Sequence, residues 1–395
     1  MNFPSKSNET RGAKGPSRSR GPERAPGPEL LRIVCMLMIL TSHFFVHGKV
    51  LGSLRTTDVN YSVGWFIEAC CYVMVNCFVL ITGYYQSASR FKLKKFLLLW
   101  GQIDLTSAAV YLALAAFRII PFVWSGFFTA AAAVTGTRYW FATAYLTLYA
   151  LSPLLYRAMR DLSRREHLYA CAALWGLFVA GRNVTYWLDF ANLHGGYSYV
   201  SFIVLYVTAA YLRKYPPKKR RWLGWYFLLS GVTALSRILM AVLYHRYRFS
   251  SDFLKVFMQY NSLPVAAASV CLFLFFLNLD IKGRVPRALI GFFAPLTFGV
   301  YIIHEHRDLR DPLWNLLKPW EIARSPKMFR LLIATVRSLF LICALLEFLR
   351  RTLSRLFRVP ELFAKIADGL CSLTRSLLER HLPPEESCTN TTKQE

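Results

Sequence analysis

The sequence predicts an all-α fold: a polytopic integral membrane bundle of about ten transmembrane helices, with both termini in the cytoplasm. Three observations predict it. The 395-residue chain is 55% hydrophobic, with 30 Phe and 21 Tyr, which is more apolar surface than a soluble domain of that size can hide. Its apolar residues gather in runs long enough to cross a bilayer. Its Lys and Arg residues fall between those runs, mainly in alternate connections.

The elements follow in order. Residues 1–28 scatter Lys6, Arg11, Lys14, Arg18, Arg20 and Arg24 among Gly, Pro and Ser, too few apolar side chains for a core, so a disordered basic tail is expected. Spans of roughly 17–25 residues fit near 30–47, 63–85, 93–117, 138–156, 168–187, 197–212, 222–244, 261–279, 288–304 and 328–349, within a multispan domain of 29–350. The first run lacks a small-residue cleavage site and holds Arg32 and His43, so it is expected to remain as a span and not to leave as a signal peptide. Pro121 and Gly126 interrupt Ile119–Thr135, which suggests a re-entrant or interfacial piece. In 351–395, Leu362, Phe363, Ile366, Leu370, Leu373, Leu377 and Leu378 line one side of a helix. That helix either lies on the inner membrane surface or packs on the loops.

The basic residues set the orientation. The N-terminal tail, Arg90 to Lys95, Arg157 to Arg165, Arg213 to Arg221, Lys282 to Arg287 and Arg350 to Arg358 form the heavily loaded set, expected in the cytoplasm. The first three intervening loops are poorer. The last two are mixed, with Arg246, Arg248 and Lys255 in one and Arg307, Arg310, Lys318 and Arg324 in the other. A net charge of +26 on a soluble fold would suggest nucleic acid. Here the charge punctuates apolar runs, and membrane lipid is the expected partner with no nucleic acid. The nine cysteines show no paired ligand spacing, which implies small buried hydrophobes with neither a disulfide frame nor a metal site.

Ionisable groups inside spans are costly and therefore candidates for function. Arg32 and His43 lie 11 residues apart; at ~100° per residue both project from one face of the first helix, ~16 Å apart along it. Arg suits phosphate through its planar fork. A neutral imidazole can take a proton from a sugar hydroxyl or attack a thioester. The structural alternative is an anchoring Arg32 and a His43 that bonds between helices. Glu68, at a similar depth, either orients the imidazole or points outward at the interface. His304 and His306 either assist the acceptor and pair with His43 or are structural. His43 and His47 at i,i+4 lack a carboxylate or Cys to complete a metal set. Asp104 with Gln102, and Arg237, call for a salt bridge or a substrate path. Asn76 and Gly83 share a face that suits close helix packing. Asn183-Val184-Thr185 and Asn390-Thr391-Thr392 match the glycosylation pattern.

Leu31-Arg32 to Ser42-His43 resembles the Arg-x10-His signature of membrane-bound acyltransferase family 3, the bacterial surface-polysaccharide O-acyltransferases. Val75–Tyr85, Tyr139–Tyr145 and Phe298–His304 resemble three further family stretches in the same order, so the resemblance covers about 29–350. It implies an enzyme of the plasma membrane with no bound cofactor. Its acyl-CoA co-substrate, most often acetyl-CoA, binds on the cytoplasmic side, and its acceptor is a surface glycan or lipid-linked glycan. By resemblance the catalytic role goes to His43 and acyl-CoA binding to Arg32. Lys94 and Lys95, with Lys92, stand where some members carry an Arg-x-x-Arg pair. Glu68, Asn76, Tyr301 and His304 are the expected supporting groups on the acceptor side. Thr82-Gly83-Tyr84 departs mildly from the family's Ser-Gly-aromatic, and a C-terminal esterase-like domain, as in some fused members, is not expected. The competing function is a glycan transporter or flippase, which internal repeats and paired broken helices would mark; no convincing repeat is seen.

Overall fold

The computed structural model describes residues 25–89, 91–185, 193–218 and 220–381. The basic tail up to residue 24, Arg90, the end of the fifth run and the second glycosylation pattern lie outside them. Among the described residues every regular element is helical.

Helix α1 (Pro26–Val46) starts earlier than the sequence suggested, because Pro occupies its first turn, where the missing N–H costs nothing. A single turn, α2 (Val50–Ser53), follows. The second run is two helices, α3 (Val59–Cys71) and α4 (Met74–Gln86), with the break at Tyr72 and Val73. Next come α5 (Leu93–Ala116) and α6 (Trp124–Ala131). The latter is eight residues long, leaves Trp124 and Phe128 exposed, and is tied to α5 by Tyr111, whose hydroxyl bonds both the N–H and the carbonyl of Val123. It therefore cannot cross a bilayer and fits the interfacial expectation.

Helix α7 (Trp140–Arg160) precedes α8 (Arg164–Trp175), which opens on a capping box between Ser163 and Glu166. A π-helical turn, Gly176–Ala180, leads to α9 (Gly181–Val184). Asn183 in this turn donates to the Val256 carbonyl and accepts from the Leu263 N–H, so its amide is a packing group. Helices α10 (Tyr199–Lys214), α11 (Trp222–Tyr247) and α12 (Leu263–Leu277) follow. The ninth run splits into α13 (Arg284–Phe293) and α14 (Thr297–His304) around Pro295, which removes a helix hydrogen bond. Then come α15 (Arg307–Leu317), α16 (Lys327–Leu356) and α17 (Val359–His381).

Each of the ten apolar runs is thus helical where described. Six segments are long and apolar enough to cross a membrane: Pro26–Ser53, Val59–Gln86, Leu93–Ala116, Trp222–Tyr247, Arg284–His304 and Lys327–Leu356. Helix α12 is apolar but shorter. On α11, Trp225, Leu228, Val232, Leu235, Leu239 and Val242 are exposed at i, i+3, i+7 spacing, as a lipid-facing stripe requires. Helix α1 is the central column, touching α3, α4, α12, α13, α14 and α16, with Leu31, Cys35, Leu40, Phe44 and Phe45 wholly buried.

Four intramembrane polar groups turn out to be tied into the packing. Asp104 accepts from the Trp100 indole and the Val134 N–H, fastening the turn after α6. Arg237 lies 4.0 Å over the Trp65 ring and reaches the Tyr61 hydroxyl, a cation–π contact where a salt bridge or a substrate path was expected. Gln102 bonds Glu347 of α16. Asn76 donates across to the Tyr260 carbonyl, 2.7 Å away. Gly83 lets α4 approach α10 so closely that a side chain there would press on the Tyr206 backbone. Phe363 of α17 packs on Gly101, while Leu362, Ile366, Leu370 and Leu373 stay exposed, so this helix joins the bundle by one side and presents an apolar stripe on another.

Candidate active site

The site forms where the end of α1 meets the end of α14. His43 Nδ1 lies 3.0 Å from His304 Nε2 and 3.2 Å from Glu305 Oε2. His304 Nδ1 lies 2.6 Å from the carbonyl of Val300, one turn back in its own helix. A carbonyl only accepts, so His304 Nδ1 carries that ring's proton. Neutral His304 then offers only a lone pair on Nε2, and His43 Nδ1 must donate to it. This assignment, made from the hydrogen-bond network, leaves His43 Nε2 as an unprotonated base. A backbone carbonyl thus fixes, through two imidazoles, which nitrogen is free to act.

Glu305 sits directly after α14, held by Arg310 Nη1 at 3.1 Å and lying 3.6 Å from His47 Nε2. Burial pushes its carboxyl up to about 7 against the opposing pull of Arg310. A proton gained by His43 would have its charge met at once by this carboxylate. The neighbouring His306 is wholly buried. It accepts from the Asp308 N–H to cap α15 and bonds the Ser107 carbonyl. Burial lowers its pKa to about 4, so it stays neutral and structural, and of the two histidines flanking Glu305 His304 is the one that pairs with His43.

Ser42, His43, Glu305 and Arg310 line a cavity of about 290 Å³ whose walls are Tyr72, Trp140, Phe141, Tyr197, Tyr260 and Tyr301. Tyr72 stacks on Tyr260 with centroids 4.7 Å apart, and Trp140 lies 4.4 Å from Tyr197. Asn76, by holding the Tyr260 carbonyl, fixes this wall from behind. Aromatic faces with a few polar groups among them suit a ligand that is apolar on its faces and polar at its edge.

Glu68 is buried, at 1% exposure, and its Oε1 accepts a hydrogen bond from the Ser42 hydroxyl at 2.6 Å. The imidazole is oriented by His304 and Glu305, so the expectation that Glu68 orients it, or points outward, is replaced by a carboxylate that turns Ser42 into a hydrogen-bond acceptor facing the cavity. Tyr301 lines the cavity as a wall residue, packed edge-on to Phe141 and Tyr139.

Arg32 lies at the opposite end of α1. Its Nε is 3.5 Å from Glu29 Oε1 and buried without a hydrogen bond. Lys94 and Lys95 are exposed in the first turn of α5. The structure therefore separates the two groups that the sequence singled out, base and basic cluster, to the two ends of the bundle. His43, His304 and Glu305 also place their ligand atoms within 4.8 Å of one another. That set could hold a metal ion in place of the shared proton, with Glu305 as the carboxylate that the pair His43 and His47 lacks. Glu305, Arg310, a role for Ser42, and Tyr72, Tyr197 and Tyr260 of the wall were missed. The available signal was His304-Glu305-His306, three consecutive polar residues closing an apolar run.

Searches of curated proteins and of solved structures give no match. The sequence profile of the acyltransferase 3 domain matches residues 26–349, from the start of α1 into α16 and through both partners of the histidine pair. This chain therefore belongs to acyltransferase family 3.

Proposed function

We propose that the protein transfers an acyl group, most often acetyl, from acyl-CoA to a hydroxyl of a cell-surface polysaccharide or lipid-linked glycan. The observation that carries this reading is the relay from the Val300 carbonyl through His304 to His43, which presents one free imidazole nitrogen at an aromatic-walled cavity. The acceptor hydroxyl gives its proton to His43 Nε2 as its oxygen attacks the thioester carbonyl carbon. The carbon–sulfur bond breaks, and the imidazolium returns the proton to the departing thiolate, leaving an ester and a free thiol. Glu305 opposes the transient imidazolium charge, and Ser42 accepts from a second donor on the acceptor. Sugar rings, apolar on their C–H faces and polar at their rims, match these walls.

The membrane arrangement belongs to the same proposal. All ten helical runs are taken as spans of the plasma membrane, with both termini and the heavily basic connections in the cytoplasm. The 15 residues of α12 and the 16 of α10 then cross where the bundle thins the bilayer or the chain beyond the helix completes the passage. Donor and acceptor reach His43 from opposite faces.

Acetyl analysis of surface glycan from cells with and without the protein tests the activity. Glycan that reaches the surface but lacks acetyl groups when the protein is absent supports it. Glycan trapped inside with unchanged acetylation would make the protein a flippase. Sealed inverted vesicles given labelled acetyl-CoA should label lumenal glycan; label on a soluble outside acceptor alone would refute the two-sided arrangement.

A further inference from the structure

A second charged site lies at the far end of the bundle from His43. Glu347 of α16 is completely buried and fixes two guanidinium groups: Arg350 by bonds of 2.7 Å to each carboxylate oxygen, and Arg351 by one of 2.7 Å to Oε1. Arg351 also reaches the Pro295 carbonyl, at the break between α13 and α14. Gln102 of α5 joins at 3.1 Å. Gly299 of α14 is required here, since any Cβ would overlap the Glu347 carboxyl. One carboxylate against two guanidiniums leaves a positive charge. Arg355 adds another: it is exposed, and among the described residues no carboxylate lies within ion-pair distance of it.

These three arginines, with Ser354 and Gln102, line a pocket of about 190 Å³ that Phe363 of α17 closes on one side. On α5, Leu98, Gly101 and Leu105 line the same pocket. Lys94 stands four, seven and eleven residues before them, so it lies on their face, one turn before Leu98. Arg350 and Arg351 each spend Nε and one Nη2 hydrogen on Glu347 or Pro295, which fixes their orientation and leaves the Nη1 side of each, with the guanidinium of Arg355, to meet phosphate oxygens.

The pocket is also at a usable distance from the base. Helices α14 and α16 run antiparallel and meet at Gly299 and Glu347. Arg355 lies eight residues beyond that level in one direction and His304 five residues beyond it in the other, which separates them by roughly 20 Å along the bundle. An extended phosphopantetheine arm is of this length.

We infer that the pocket of Arg350, Arg351 and Arg355 seats phosphate groups at the nucleotide end of the acyl donor, with Lys94 at its mouth, so that the thioester reaches the cavity at His43. This rests on the acyl-CoA reading above. An anionic lipid headgroup carries the same phosphate chemistry, and the test separates the two sources.

The full-length protein is placed in nanodiscs of phosphatidylcholine alone, and acetyl-CoA binding is compared for wild type, Arg355→Gln and Arg355→Gln with Lys94→Gln. Both positions are exposed and neither holds Glu347, so these variants avoid stranding a buried charge. Acetyl-CoA should bind about tenfold more weakly to Arg355→Gln, the loss of a charge-assisted contact, and more weakly still to the double variant. Acetyl-pantetheine, which lacks the nucleotide, should bind all three equally. Wild-type affinity in both variants would overturn the inference while the acyl-CoA reading stood. A loss seen only when phosphatidylglycerol is added would overturn it in favour of a lipid headgroup. A wild type that binds no acetyl-CoA would remove the donor reading and this inference together.

Discussion

Gly299 and His304 lie five residues apart on α14, and the environments they face differ in kind. At His304 a neutral ring passes the orientation of one carbonyl to His43, and the charged groups behind it are a titrating carboxyl, Glu305, and its partner Arg310. At Gly299 the neighbours are ions: Glu347 with two guanidiniums locked on it and a third beyond. A region governed by hydrogen-bond direction depends on each member being in place, because one wrong tautomer removes the base. A region governed by summed charge is redundant, because each arginine supplies a share. Substitutions at the first should therefore be severe and insensitive to salt, and those at the second graded and salt-dependent.

The sharpest break of that contrast is His43→Ala. Acyl transfer should fall about 10³-fold, the weight of a positioned general base, with insertion and detergent-solubilised elution unchanged; a folded, fully active variant would remove His43 from catalysis. His304→Ala should follow at about 10²-fold in kcat with KM for both substrates held, since the ring it frees can turn to the wrong nitrogen. Steady-state rates in membranes decide this, and a pure KM effect would make His304 a packing residue.

Glu305→Gln comes next, at about tenfold, and its signature is in pH. A carboxyl raised to about 7 is protonated below that pH and ionised above it. If the ionised form meets the imidazolium, wild-type kcat rises as pH climbs through about 7 and falls as pH drops through it. Glu305→Gln should lose that limb, and a variant with an unaltered profile would free Glu305 of the role. Arg32→Lys should be milder, raising KM for acyl-CoA a few-fold and leaving the glycan KM alone, because the charge stays while the fork is lost. Equal shifts for both substrates would make Arg32 an anchor. The smallest expected effect is that of a chelator: if a proton occupies the position between His43, His304 and Glu305, dialysis against one leaves the rate unchanged. Loss restored by a divalent ion would place a metal there.

The all-helical character, the six segments apolar and long enough to cross a membrane, and the single face shared by Arg32 and His43 could be read from the sequence because they depend on local periodicity and hydropathy. The breaks at Tyr72 and Val73 and around Pro295 were less visible, since hydropathy is continuous across both. The partner of His43 was open between Glu68 and His304, and depth alone could not choose. The choice depends on how α1 rotates against its neighbours, and that rotation puts Ser42 on Glu68 and His43 on His304. Asp104 and Arg237 misled for the related reason that a backbone N–H and an indole face satisfy a charge as well as an opposite charge does, and neither leaves a mark in sequence. Glu305 went unnoticed because it lies just outside a span, where a carboxylate is unremarkable until its burial is known.

The shortness of α14 has a consequence of its own. Its eight residues are fastened at Gly299 to α16 and at His304 to α1, so the two contacts are related by a fixed angle as well as a fixed length. One residue inserted between them would turn His304 by about 100° while Gly299 kept its place, and the imidazole would face lipid or the bundle's far side. Val300 to Ile303, all buried, therefore matter by their number as well as by their packing, and the rotational phase of this segment is what links the two ends of the molecule.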